Sequence, residues 1–238
     1  MQEFELVWDS FAGSPVYPDF KRSSHGVSEH IDPILGLPLL RGWDFGLTPA
    51  CVIAQYVDGQ VKVIKEFVAQ NQGAEQFSTE VLAQCRMMWP GWGDMKINWK
   101  DCIDPSGDFR KDTDMSTCAK ILQKKGLITI PGPVAWEKRR GAVEYYLTQM
   151  KHGQPCFKIS TLDCPVLVRG FDGGYRYNEK DTEIEPNKIR PIKDEHSHPH
   201  DALQYICAMI RTWRPSLPLT IPTPSYWSGN NKNGSFST

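Results

Sequence analysis

The chain has 238 residues, 40% of them hydrophobic and 23% charged, which suits one sizeable globular core. Its net charge of −1 argues against a protein that finds nucleic acid unaided through a broadly basic surface. No apolar run approaches the ~20 residues that span a bilayer, the start Met1-Gln2-Glu3-Phe4 does not read as a signal peptide, and seven scattered cysteines without CxxC spacing read as reduced core thiols rather than a zinc or disulfide framework.

Residues 1–37 read as an irregular, extended segment lying on the domain or a linker remnant, punctuated by Gly13-Ser14-Pro15-Val16-Tyr17-Pro18. Leu39 to Phe45 reads as the first strand. Cys51 to Val57 and Val61 to Val68 follow, and Asp58-Gly59 between them predicts a type I′ hairpin. Phe77, Val81, Leu82, Cys85, Met88 and Trp89 share one face of a helix over 74–89. Lys96 to Ile103 is a strand ending in the turn sequence Asp104-Pro105-Ser106-Gly107. A helix over Met115 to Lys124 and a short strand over Leu127 to Ile130 come next.

Trp136 to Met150 carries an apolar helical stripe of Ala142, Val143, Tyr146, Leu147 and Met150, and Phe157 to Ile159 is a short strand. Over 165–177, Val166-Leu167-Val168, Asp172-Gly173-Gly174 and Tyr175-Arg176-Tyr177 predict a projecting hairpin. A charged, irregular stretch over 178–198 leads to a last helix from Pro199 to Arg214. Beyond it, residues 215–238 are Pro-rich and then Gly/Asn/Ser-rich, the composition of a disordered tail. The order of elements predicts one α/β domain over 38–214, a mixed sheet flanked by helices of RNase H-like architecture.

Three acidic residues stand at the ends of these elements. Asp44 closes the first strand, Asp104 the fourth, and Asp201 falls in the first turn of the last helix, where backbone N–H groups and the helix dipole favour a carboxylate. If the two strands are neighbours and the helix packs beside them, the three carboxylates converge. Such a cluster suits hard cations. Two Mg²⁺ or Mn²⁺ ions ~3.5–4 Å apart can stabilise the attacking and leaving oxygens of phosphodiester hydrolysis. His198 lies three residues before Asp201, placed to orient a ligand or water, or to serve only as a residue at the helix start.

Lys138, Arg139 and Arg140, then Lys188, Arg190 and Lys193, then Arg169 and Arg176, are candidate phosphate contacts, which position DNA without reading its sequence. The alternation His196, His198, His200 is a weaker transition-metal pattern, interrupted by Pro199. Asp44-Phe45-Gly46 matches a kinase tripeptide, but no Gly-rich loop or His-Arg-Asp loop accompanies it.

Gly-x-Asp-x-Gly at 42–46, Asp-Pro-Ser-Gly at 104–107 and Ser-His-Pro-x-Asp-Ala-Leu-x-Tyr at 197–205, in this order, resemble the C-terminal nuclease domain of the large terminase subunit of tailed bacteriophages. Residues 167–177 resemble that family's auxiliary β-hairpin, and Pro15-Val16-Tyr17-Pro18-Asp19-Phe20 the segment ahead of its first strand. The resemblance implies an RNase H-like fold and metal-dependent cutting of concatemeric viral double-stranded DNA during packaging, in the host bacterial cytoplasm. It implies Asp44 as the ligand bridging two metals, with Asp104 and Asp201 as the other acidic ligands. It also implies an ATPase domain, a small terminase subunit and a portal protein as partners. The Gly-x-x-x-x-Gly-Lys-Ser/Thr loop of an ATPase does not occur in this sequence. Two other readings stay open: a non-catalytic module docking on the portal or ATPase, and a junction resolvase-like nuclease of the same fold.

Overall fold

The computed structural model describes residues 13–46, 48–93, 98–105, 118–178 and 190–212. The expectations for Lys96, Ser106-Gly107, Met115, Lys188 and the 215–238 tail lie outside these residues. A short helix α1 (Arg22–His25) runs into a two-residue strand β1 (Gly26–Val27). The meander β2 (Leu39–Asp44), β3 (Ala50–Val57), β4 (Gln60–Val68) follows, with antiparallel pairing at both junctions. Asp58 and Gly59 take φ of 47° and 84°, the left-handed pair that a type I′ turn requires.

Strands β5 (Trp99–Ile103) and β6 (Thr129–Pro131) add parallel on the β2 side. On the far side, β9 (Phe157–Ser160) adds parallel to β4, and β1 parallel to β9. The seven-stranded order is β1-β9-β4-β3-β2-β5-β6, and among the described strands β3 alone opposes the rest. Parallel pairs need crossovers, and the helices between them cover both faces of the sheet. Helices α2 (Ala74–Met88) and α3 (Cys118–Lys124) close one face over Leu39, Trp43, Ile53 and Trp99. Helices α4 (Trp136–Thr148), α5 (Pro165–Arg169) and α6 (Ser197–Thr212) close the other over Leu40, Val52, Val63 and Ile159. This is the predicted mixed α/β sheet. Among the described residues, no helix is long and apolar enough to cross a membrane.

Four readings are corrected by the structure. Residues 165–177 are not a projecting hairpin: Pro165 opens α5, and Gly170–Gly174 continues it as a π-helical turn. The cause lies 100 residues upstream, because the Glu66 carboxylate accepts from the Val166 and Leu167 N–H groups at 2.6 and 2.8 Å and so caps the helix start. A small two-stranded hairpin does stand apart from the sheet, at β7 (Met150–Lys151) and β8 (Gln154–Pro155). Met88 and Met150, placed on apolar stripes, are 40% and 61% exposed, since each sits where its helix has ended or is ending. The stretch ahead of β2 is more than chain lying on the domain: Val16, Tyr17 and Phe20 are buried, with Tyr17 and Phe20 against Phe171. Lastly, α6 starts at Ser197, two residues before Pro199, and Asp201 therefore lies beyond its first turn. Pro is tolerated there because the first N–H groups of a helix have no partner within it.

Candidate active site

Strands β2 and β5 are parallel neighbours in register up to Trp43↔Ile103, so Asp44 and Asp104 leave the sheet side by side at its carboxyl edge. The third carboxylate arrives on α6, which packs across β2, β3 and β5. Gly42 permits that approach: a Cβ there would stand 2.0 Å from the Ala202 carbonyl oxygen. Gly46 makes room for the His198 ring in the same way, at 2.5 Å. The result is a cleft of about 400 Å³ whose lining includes Asp44, Asp104, Asp201, His198, Arg139, Lys193 and Tyr205.

Asp44 and Asp201 are only 8% and 3% exposed, and Asp104 is half-buried. Burial pushes the Asp44 carboxyl above its ordinary range; a hydrogen bond from His198 counters this and the nearby Asp201 charge adds to it. The His198 Nδ1 to Asp44 Oδ2 distance is 2.7 Å. Asp201 does not draw on a helix N-terminus for its countercharge. Its Oδ2 accepts from Lys193 Nζ at 2.5 Å, and the Arg139 guanidinium lies 3.6 Å from its Oδ1. Tyr205, one helical turn after Asp201, accepts a 2.6 Å hydrogen bond from Arg139 on its hydroxyl and so fixes that guanidinium at the cleft wall.

The donor set fits a hard divalent cation in kind, since three carboxylates supply oxygens to one cavity. Asp201 Oδ1 is moreover buried without a hydrogen-bond donor, an acceptor left for a cation. The ligand set is not closed, however. Among the described residues, no three His, Cys, Asp or Glu side chains gather tightly enough to hold one ion. Lys193 and Arg139 supply the positive charge beside Asp201 instead.

No protein-family model matches the sequence, and no curated protein matches it. Solved structures do. The large terminase of one thermophilic bacteriophage superposes with a TM-score of 0.64 at 16% identity, over 84% of this chain and 46% of that one. The nuclease domain of the P22 large terminase gives 0.57 at 12%, over 83% and 92%. The large terminase nuclease from thermophilic phage G20c, a structure with bound magnesium, gives 0.51 at 12%, over 84% and 97%. The chain has the fold of a large-terminase nuclease domain. It spans a little under half the length of the first of these terminases and nearly the whole of the two separate nuclease domains.

On this terminase nuclease fold, the residues singled out from sequence separate into groups. Asp44, Asp104, Asp201 and His198 line one cleft, joined by Arg139 and Lys193. Lys138, Arg140, Arg169 and Arg176 are not among its lining residues. Arg140 pairs with Glu144 at 3.2 Å and Arg176 lies 3.7 Å from Asp194, while Lys138 and Arg169 are exposed. The three alternating histidines part company: His198 faces Asp44, while His196 and His200 are buried in the core, the latter stacked on Tyr175 at 4.5 Å. Burial holds the His200 imidazole down at about 3, so it is neutral. Tyr205 also lines the cleft, and its spacing of four from Asp201 is the sequence signal that finds it.

Proposed function

We propose that this chain is a divalent-metal-dependent endonuclease that cuts concatemeric viral double-stranded DNA during genome packaging. One observation carries the reading: Asp44, Asp104 and Asp201 come from three separate elements into one cleft of the terminase nuclease fold. The three carboxylates would hold two Mg²⁺ or Mn²⁺ ions. Bound there, the metals supply Lewis acidity to the scissile phosphodiester and lower the pKa of water. The G20c structure, described with bound magnesium, supports that choice of cation.

The remaining chemistry belongs to the side chains. His198 Nδ1 hydrogen-bonds Asp44 Oδ2 at 2.7 Å and fixes the direction in which that carboxylate faces the cleft. Arg139, held by Tyr205, and Lys193 place positive charge where a phosphate would enter. Contacts of this kind position a backbone without reading bases, which gives cutting with little sequence preference. In the infected cell the reading places the chain in the bacterial cytoplasm, working with an ATPase domain, a small terminase subunit and a portal.

The direct test is plasmid relaxation and linearisation in Mg²⁺ or Mn²⁺, with EDTA as control. We expect metal-dependent cutting by the wild type and none by Asp44→Ala at unchanged circular dichroism. Equal cutting by the two proteins would sink the assignment. A junction resolvase-like activity would show instead as preference for branched over linear duplex.

A further inference from the structure

Beside the acidic cleft lies a second cavity of about 560 Å³, walled by Val134, Trp136, Arg139, Arg190, Pro191 and Lys193. Val134, Arg139 and Lys193 line both spaces, so the two share a wall. Their linings differ in sign. The first holds three carboxylates, whereas among the described residues no carboxylate lines the second. One of its cations lies against an aromatic wall, with the Arg190 guanidinium 5.5 Å from the Trp136 ring centroid. The Arg139 side chain is 13% exposed and its Nε is buried without a hydrogen-bond partner. A buried guanidinium N–H without an acceptor leaves a place for an anion.

We propose that this second cavity seats a DNA backbone phosphate next to the one that enters the acidic cleft. The inference rests on the nuclease reading and specifies how its substrate is held. DNA carries a charge at every nucleotide, so a strand laid across the cleft must find a place for the neighbouring phosphate as well. Guanidinium forks match phosphate oxygens, and an ammonium adds a point charge. In a chain of net charge −1, attraction for DNA has to be local, and this cavity concentrates it. Two of its cations are held in reserve by acids: Lys193 by Asp201, and Arg190 by Glu137 at 3.1 Å on the outer rim. A phosphate in the cavity takes Arg190 from Glu137, and the acid is the group it competes with.

The test is binding of a short fluorescent duplex to the full chain, by anisotropy across a salt series in EDTA, so that neither metal nor cleavage enters. Arg190→Gln should weaken binding several-fold, equally for unrelated sequences, and reduce the slope of log K against log salt by about one. Glu137→Gln should strengthen binding. Arg86→Gln, exposed on α2 across the sheet, should change neither quantity. Arg190 is half exposed, so its substitution leaves the core intact. An unchanged slope in Arg190→Gln overturns the proposal, and if the wild type still cuts DNA the nuclease reading stands without it. Saturable stabilisation by inorganic phosphate alone, with DNA binding untouched by Arg190→Gln, also overturns it, because the cavity would then be a site for a free anion.

Discussion

The same two strands, β2 and β5, carry charged residues at two levels, and the levels behave oppositely. Inside the sheet, Arg41 and Asp101 are register partners, with hydrogen bonds of 2.7 and 2.9 Å between guanidinium and carboxylate. Trp43 Nε1 donates to the same carboxylate at 2.8 Å, and Arg41 lies 4.2 Å above the Trp99 ring. Both charges are sealed, at 0% and 1% exposure. Three residues further along each strand stand Asp44 and Asp104, two acids side by side with no arginine from either strand between them. There the sheet ends and a cleft begins. The inner level satisfies every charge and acts as structure. The outer level buries Asp44, which raises its carboxyl, sets the like charge of Asp201 near it and leaves an Asp201 oxygen without a donor, and so has chemistry to offer.

Substitutions at the two levels should separate these roles, and they fall in a clear order by effect on stability. Arg41→Ala strands a buried carboxylate and should cost about 3–5 kcal/mol in urea unfolding. A small loss there would mean that water reaches the pair. Gly42→Ala drives a methyl into the Ala202 carbonyl and should cost about 1–3 kcal/mol or more while pushing Asp201 away from Asp44. Cutting should then fail along with stability, and retained cutting would show that α6 need not touch β2.

Glu66, which does not line the cleft, gives a smaller, pH-dependent effect. Burial raises its carboxyl from 4.5 to about 7, against the two N–H bonds it accepts. The folded state therefore favours the protonated form. That contribution is complete below pH 4.5 and is lost as pH rises through about 7. Thermal melts of the wild type should show this decline, and Glu66→Gln should flatten it. The smallest change in stability is expected for Asp44→Asn, within about 1 kcal/mol of the wild type, although it removes cutting altogether. A large stability loss there would make Asp44 a structural residue like Asp101.

What the sequence discloses follows the same division. The Asp-Gly hairpin, the sheet class and the acids at strand ends are legible because each is a local signal: a turn pair, an alternation, a charge where an apolar run stops. Arg41 and Asp101 are not legible, because they sit 60 residues apart and each reads alone as a solvated strand residue. Residues 165–169 read as strand for a similar reason, since the group that makes them helical is Glu66 on β4. The countercharge on Asp201 is hidden from the sequence for the same reason. A helix N-terminus is visible in sequence, while a lysine folding back from position 193 and an arginine arriving from α4 are tertiary facts.

Asp44, Asp104 and Asp201 are the proposed metal ligands, and Asp101, one level deeper in the sheet, is not. Crystals soaked in Mn²⁺ and measured at its absorption edge test this most directly. Anomalous peaks are expected within ligand distance of the three cleft carboxylates, with Lys193 withdrawn from Asp201. A cleft without a peak, and Lys193 still on Asp201 at saturating Mn²⁺, would contradict the assignment.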